Sequence, residues 1–471
     1  MTLVAGVDSS TQSCKVIIRD LETGDLVRQG TARHPEGTEV DPEAWWQALG
    51  EAIASAGGLD DVSAISIGGQ QHGMVVLDHD GRVIRPALLW NDTRSATEAT
   101  EIAAHFGAEE IARVTGSLPV ASFTSTKLLW LRKHEPDNAA RVAAVALPHD
   151  WLSWRLAGFG PAGQSERGPD LSALATDASD ASGNGYFSPA TKEYVPAVVK
   201  FVLGHLPVLP RIVAPGEVAY TTSAGLLIAC GAGDNAAAAL GVGAGPGDVV
   251  VSLGTSGTVF AVSDTYTSDP TGTIAGFASA SGAALPLVCT LNAARVLDSF
   301  ARLFEVSHDE LGLLALEAEP GAEGIVLLPF FEGERTPNLP DATAQISGLT
   351  LGNHTRANLA RAAIEGMLCG LGAGLDALRA AGVVSSRVFL VGGAAGNPAV
   401  AQIAAEIFGL PAVVPAPGEY VANGAAHQAA MLLLGHAPTW EINVISTVSR
   451  PKVEAISTAY ARALSSFSGN G

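Results

Sequence analysis

The sequence predicts an α/β protein built from two related domains, and three observations carry that prediction. The chain has 471 residues, too many for one core of ordinary size. One unit opens each half: an apolar strand, a turn of small hydroxyl residues and a second apolar strand, as LVAGVDSSTQSCKVIIRD at the start and DVVVSLGTSGTVFAVSD near the middle. Strand-like runs then alternate with helical patterns in both halves, as in α/β folds. Thr11 and Thr255 hold equivalent places in the two units, about half a chain apart, and such a repeat is economically read as two similar domains. The Gly/Pro-rich GVGAGPGD marks the junction, so domains 1–243 and 244–471 are expected.

The remaining elements follow in order. In DPEAWWQALGEAIASA, Asp41 is an N-cap, Pro42 takes the first helical position and Glu43 lies in the first turn. Residues 160–185, GPAGQSERGPDLSALATDASDASGNG, are small and polar and read as a long functional loop or partly mobile segment. ANLARAAIEGMLCGLGAGLDALRAA keeps helical spacing and predicts the longest helix. SRVFLVGGAAGNPAVAQIAAEIFG predicts a strand, a double glycine and a helix beginning near Asn397 and Pro398.

Composition narrows the function. With 47% hydrophobic and 16% charged residues the chain is compact and well buried. Its formal charge of −20 repels nucleic acid and anionic membranes at long range, so neither is expected as a partner. An anionic substrate would need local cations or a metal. Cys14, Cys230, Cys289 and Cys369 show no metal-binding spacing and read as buried thiols of a reducing compartment. Charges in the first twenty residues break any secretory apolar region, and no run of about 18 apolar residues occurs. A soluble, cytoplasmic protein is expected.

Several stretches can carry chemistry. SLGTSGT (252–258) offers hydroxyls and backbone N–H groups, with Gly254 and Gly257 free to take positive φ, and can cradle a phosphate. A tight hairpin explains one such turn, but two in equivalent places favour a shared phosphate. Asp8, in GVDSSTQ, can hold Mg²⁺ through water or simply start the turn. CGAGDNAAAALGVGAG places the single acid Asp234, beside Asn235, among nearly side-chain-free residues. Asp234 or Asn235 can cap the helix that follows, Asp234 can act as an ionised base, or Gly231, Gly233 and Ala236 can belong to a dinucleotide fingerprint. The last reading lacks the long helix and the acid about 20 residues on. Gln70, Gln71 and His72 sit between apolar strands and suit hydroxyl recognition, although a lone turn histidine is more often a surface residue. Trp90 in LLWNDTRS offers an aromatic face to a polyol, while a capped turn explains the rest.

Two long patterns resemble the FGGY carbohydrate kinases, within the fold group of hexokinase, actin and the Hsp70 ATPase. SFTSTKLLWLRKH (122–134) is similar to the first family signature and AQISGLTLGNHTRANLARAAIE (344–365) to the second. GVDSST, LPHDWLSWRLAG, GAGDNAAAALGVG, SLGTSG, GERTP and VGGAAGN extend the match over nearly the whole chain. The resemblance implies two ribonuclease H-like domains around a central cleft, the first mainly sugar-binding and the second mainly ATP-binding.

Residue by residue, the resemblance makes Asp234 the catalytic base and Asn235 its sugar-contacting neighbour. Asp8 becomes the metal-associated acid, and Ser10 and Thr11 the first phosphate turn. Gly254, Thr255 and Ser256 become the γ-phosphate turn, and Gly392, Gly393 and Ala394, with Asn397, the adenosine site. GGQQHG resembles members acting on a ketopentose, which makes Gln71 and His72, with Trp90, sugar contacts.

The expected reaction is phosphorylation of a ketopentose by ATP with Mg²⁺, D-xylulose to D-xylulose 5-phosphate leading and ribulose, gluconate and glycerol behind. Closure of the two halves would exclude water. A nicotinamide-dependent oxidoreductase and an actin-like interaction protein stay as the readings from other classes. Oligomeric state is open, a homodimer included. Two departures from the family pattern stand out: Ser10 replaces a turn glycine, and Ala394 replaces a glycine of the adenosine motif.

Overall fold

The computed structural model describes residues 1–468, which divide into two units. The first holds residues 1–243 with 266–285 and 419–441; the second holds 244–265, 286–418 and the residues from 442 onward. We propose 1–243 and 244–471 as the domain bounds along the chain, the last three residues lying outside those described. Segments 266–285 and 419–441 join the first unit in space, and nothing in their composition marks them for it.

Each unit is built on a mixed sheet of the same order. In the first, Leu3–Ser9, Ser13–Asp20 and Leu26–Arg33 form an antiparallel meander. On its other side Leu3–Ser9 runs parallel to Val62–Gly69, which in turn pairs in parallel with Leu227–Ile228 and Ala232–Gly233. Every residue of Leu3–Ser9 is buried, which is why this central strand reads as a continuous apolar run instead of an alternating one. In the second unit Asp248–Leu253 pairs antiparallel with Gly257–Ala261 and parallel with Arg387–Val391. Ala412–Pro415 extends the parallel side and Val444–Val448 closes the edge antiparallel to it.

Helices cover the sheets where local chemistry starts them. Helix Pro42–Ser55 begins as expected, with the Asp41 carboxylate accepting the Glu43 N–H at 3.0 Å, and buries Trp45 and Leu49 in the core of the first unit. Arg356–Ala380 is the longest helix, started by Thr355, whose Oγ1 accepts the Asn358 N–H at 3.1 Å. Among the described residues no helix is long and apolar enough to cross a membrane.

Helix Tyr420–Leu434 packs on the first sheet at backbone contact. A Cβ added at Gly6 would lie 1.9 Å from the Ala422 carbonyl oxygen. One added at Gly424 would lie 1.9 Å from the Ala237 oxygen, and one at Gly241 1.9 Å from the Tyr420 oxygen. The small residues of DNAAAALG are therefore the condition for helix Asp234–Gly241 to meet helix Tyr420–Leu434 so closely.

Residues 160–185, expected as a long functional loop or partly mobile segment, run without helix or strand as far as Asp170 and fold from there on. They contain a short 3₁₀ turn at Leu171–Ala173, strand Ala175–Thr176 and helix Ala178–Ala181, and from Leu174 onward the segment is buried or nearly so. Its polar side chains are spent inside: Asp177 accepts the N–H groups of Ser179 and Asp180 at 2.8 and 3.0 Å. From Leu174 onward the small polar residues serve internal capping, while Gln164, Glu166, Arg167 and Asp170 face solvent.

The glycine contacts make a paired stability prediction. Gly424→Ala should lower unfolding stability by at least about 1–3 kcal/mol, because the methyl meets backbone that cannot rotate away. Gly50→Ala, in an open position within helix Pro42–Ser55, should raise it by roughly 0.5–1 kcal/mol. Urea unfolding of the two variants checks this, and equal midpoints would refute the packing argument.

Candidate active site

In the first unit the predicted residues gather at one end of the sheet. Asp8 lies opposite Gly68, and Ser9 opposite Gly69, on parallel strands, while Ala232–Gly233 pairs with the same two glycines. The strands therefore end together and deliver Asp8, the Gln70–His72 segment and Asp234 to their carboxyl ends, where α/β sheets bind ligands.

Asp234 is not a cap. Gly233 is the N-cap of helix Asp234–Gly241, so Asp234 is its first helical residue, with no side-chain capping bond. Its Oδ1 instead accepts the Asn235 backbone N–H at 2.8 Å and the Asn235 Nδ2 at 3.0 Å. Burial pushes its pKa up to about 6 against these two bonds. Such a carboxylate is ionised near neutral pH yet holds a proton better than an ordinary aspartate, which suits a general base.

Asp8 shares this environment. Burial raises its pKa to about 7, Lys15 opposing and Asp234 and Glu419 reinforcing the rise. Its Oδ1 is buried without a hydrogen-bond donor. An orphaned carboxylate oxygen close enough to a second acid to feel its charge fits a hard divalent cation.

The hydroxyl turn between the first two strands forms without glycine. Ser10 is absent from the left-handed residues, and both its N–H and its Oγ donate to the Ser13 carbonyl, at 3.1 and 3.2 Å. Thr11 Oγ1 accepts the Trp90 indole N–H at 2.8 Å, and the Trp90 ring stays exposed. Its neighbours are structural: Asp92 accepts Thr38 Oγ1 and Arg94 Nε, both at 2.8 Å. The capped-turn reading of this stretch holds for Asp92 and Arg94, which leaves Trp90 as the group facing out.

His72 takes a left-handed φ of 72°. Its Nδ1 lies 2.6 Å from the Gly183 carbonyl, which requires the proton on Nδ1. The ring stacks on Phe123 at 4.9 Å and tilts against Phe277 at 5.9 Å, so it is a held residue and not a loose surface histidine. Sequence reasoning missed both phenylalanines. Phe123 stands inside SFTSTK, whose polar residues build its shelf: Lys127 Nζ donates to the Ala121 carbonyl at 2.9 Å, Thr126 Oγ1 to Phe123 at 2.8 Å and Thr124 Oγ1 to His72 at 3.0 Å. Phe277 had no local signal, since only folding brings residues 266–285 to this unit.

Gln71 is buried, its Nε2 donating to the Ser179 carbonyl at 3.2 Å. Its side chain lies where a Cβ on Gly233 would be, 2.6 Å from Nε2. The His149 ring occupies the equivalent space at Gly231, whose added Cβ would lie 2.1 Å from Cδ2. Protein side chains thus fill both glycine positions that a pyrophosphate would need, which removes the dinucleotide reading of Gly231, Gly233 and Ala236.

Behind this turn lies a buried charge cluster that the sequence did not single out. His149 Nδ1 stands 2.8 Å from Asp180 and 3.1 Å from Asp150, and Nε2 stands 3.7 Å from Asp177. Burial alone would discharge the imidazole, but the carboxylates, Asp150 first, outweigh it and push its pKa up to about 10. Burial also raises the pKa values of Asp150, Asp177 and Asp180, with His149 opposing. The available signal was the adjacent His-Asp pair in LPHDWLSWRLAG, two ionisable residues in an apolar context.

The second unit repeats the strand-end arrangement. Gly254–Ser256 follows strand Asp248–Leu253, Thr255 is exposed, and the carbonyls of Gly254 and Thr255 accept the N–H groups of Ala294 and Ala293 at 2.9 and 3.3 Å. Neither Gly254 nor Gly257 takes the expected positive φ. Gly257 is required for space instead, an added Cβ meeting Leu371 and Thr290 at 2.7 Å. Gly392 does need its left-handed φ of 95°, and it lies against the Leu253 carbonyl. Ala394 turns its methyl inward and is buried, while Gly393 is open, so the extra methyl leaves the surface of this turn clear.

Asn397, expected at the adenosine site, also has a structural task. Its Oδ1 caps helix Pro398–Phe408 through the Ala399 N–H at 2.9 Å and its Nδ2 donates to the His308 carbonyl at 2.7 Å. Both ends of the amide are committed, which makes it a positioner of the turn that precedes it.

Comparison with known proteins gives one consistent result. Residues 3–248 match the model of the FGGY family of carbohydrate kinases, N-terminal domain, and residues 249–433 that of its C-terminal domain. The chain is 44% identical to the xylulose kinase of Streptomyces rubiginosus, over 96% of this chain and 93% of that protein. It is 35% identical to the xylulose kinase of Escherichia coli over 86% and 84% respectively. The crystal structure of xylulose kinase from Bifidobacterium adolescentis superposes with a TM-score of 0.93 at 46% identity, covering 98% of this chain and 99% of that one.

The charge cluster makes a spectroscopic prediction. With its pKa pushed to about 10, His149 should keep imidazolium ring ¹⁵N shifts between about pH 6 and pH 8, without the large change that deprotonation brings. His427, pushed down to about 4 by burial and Arg19, should be equally silent but neutral. A ring that titrates in this window would remove the cluster's assigned charge state.

Proposed function

The chain belongs to the FGGY family of carbohydrate kinases and so uses ATP to phosphorylate a sugar, and from that premise we propose that its acceptor is D-xylulose and its product D-xylulose 5-phosphate. The observation that carries the reading is Asp234: a carboxylate of raised pKa at the joint end of three strands, with one oxygen held by Asn235. The xylulose kinases to which the chain is 35 to 44% identical support the choice of acceptor.

In this reading a sugar hydroxyl attacks the γ-phosphorus of ATP in line, and Asp234 accepts the hydroxyl proton through the oxygen that Asn235 does not hold. Asn235 keeps the carboxylate in one orientation. His72, held by the Gly183 carbonyl and stacked on Phe123, is a sugar contact, and Trp90 offers an aromatic face. Gln71 and Asn235 complete the acceptor contacts. Ser10 and Thr11 offer hydroxyls and N–H groups suited to phosphate oxygens, as do Gly254, Thr255 and Ser256, while Gly392, Gly393 and Ala394 form the nucleotide turn.

Asp8 is the residue we assign to Mg²⁺, on the strength of its orphaned oxygen. When bound, the ion would neutralise phosphate charge as the transfer proceeds. Cys14, Cys230 and Cys369 are buried free thiols, in keeping with a reducing cytoplasm, the compartment we propose.

Coupled ADP release across D-xylulose, ribulose, gluconate and glycerol tests the acceptor: D-xylulose should give the highest kcat/KM, and a preference for another member of the panel would replace it. Asp234→Ala should keep sugar binding and lose roughly 10²- to 10⁴-fold in kcat, the size of a general-base contribution. Near-normal turnover would sink that role. Because the base must be ionised, kcat/KM for the sugar should be maximal above the Asp234 pKa and fall tenfold per unit as the pH drops below about 6. A flat profile through this region would show that Asp234 does not titrate in the free enzyme as stated.

A further inference from the structure

Resting on the reading of Asp234 as the base, we propose that Ser179 and Gln428 are positioning residues that clamp the backbone leading into it. The two grip Gly231 and Gly233, on either side of Ala232. Gln428 Nε2 donates to the Gly231 carbonyl at 2.8 Å, and its Oε1 accepts Ser66 Oγ at 2.8 Å, so the amide itself cannot turn. Ser179 Oγ accepts the Gly233 N–H at 3.1 Å. The short strand Ala232–Gly233 is also paired with Gly68 and Gly69; the two side-chain bonds, at opposite ends, fix the backbone that leaves this ladder, and Asp234 is the next residue.

Each grip is itself anchored. Gln428 is wholly buried on helix Tyr420–Leu434, and Ser66 stands on the neighbouring strand. Ser179 donates its N–H to Asp177 at 2.8 Å, and its carbonyl accepts Ser182 Oγ at 2.6 Å and Gln71 Nε2 at 3.2 Å. Asp177 and Asp180 flank His149, whose ring fills the space over Gly231. The buried charge cluster thus reaches the base through Ser179, and the same serine ties the base to Gln71. A base displaced by a fraction of an ångström loses much of its advantage, which gives these remote contacts a catalytic consequence without touching substrate.

The test is steady-state kinetics on Ser179→Ala, Ser179→Cys and Ser179→Thr beside wild type and Asp234→Ala, with kcat expressed per folded molecule from thermal melts. Ser179→Ala should lower kcat about tenfold while KM for D-xylulose and for ATP stays within about twofold. Ser179→Cys, a near-isostere with a weak acceptor, should fall between, and Ser179→Thr, which keeps the oxygen, should restore kcat. Gln428→Leu should repeat the kcat loss, and combining it with Ser179→Ala should cost less than the product of the two, because both act on one piece of backbone. Wild-type kcat per folded molecule in Ser179→Ala or Ser179→Cys overturns the clamp, as does a folded Ser179→Thr that fails to restore it. If Ser179→Ala does not fold, the Cys and Thr variants decide. A fully active Asp234→Ala would instead bring down the base assignment itself, so the two failures are distinguishable.

Discussion

Backbone touching backbone is the constraint on which the first unit depends. Helix Tyr420–Leu434 meets the first strand at Gly6 and helix Asp234–Gly241 at Gly241 and Gly424, each at a separation that admits no Cβ. From this contact follow the poverty of side chains around Asp234 and the reach of Gln428 to the Gly231 carbonyl. Gln428 is wholly buried with both ends of its amide bonded, so its long side chain is fixed and holds the Gly231 carbonyl in place. The sparse composition that makes room for a ligand near Asp234 is first a packing requirement.

Charge is the second economy of the unit. Asp8, Asp234 and the three aspartates around His149 are all buried or half-buried, and burial raises each pKa. His149 brings the compensating charge into its own cluster. For Asp8, at the sheet end, the opposing charge is Lys15, which is itself paired with Glu419 at 2.6 Å. A protein that places acids this way leaves room for a cation and a proton to arrive with the ligand.

Much of the fold was legible because local rules and tertiary context agree there. Asp41, Pro42 and Glu43 start a helix in any setting, and the alternation of apolar runs around the hydroxyl turns identifies the two hairpins. Local rules misled where distant packing gave a residue different work. Gly257 reads as a turn glycine but serves packing, Asn397 also caps a helix, and the second half of the polar stretch 160–185 folds into a capped, buried segment from Leu174 onward. Of the candidate site, Asp8, Asp234 and the two hydroxyl turns stand at strand ends and could be found from pattern. Phe277, Ser179 and Gln428 could not, since nothing near them in the chain points to Asp234.

By itself the sequence determined the repeated hairpins, the alternation of strands and helices, the family and the candidate acids, because these depend on short-range periodicity and on motifs of contiguous residues. Only the tertiary structure decided which segments join which unit, that Asp234 opens a helix instead of capping it, and that His149, Ser179 and Gln428 converge behind it. Those outcomes rest on contacts between residues far apart in the chain, where shape and buried hydrogen bonding select one arrangement out of many that local preferences allow.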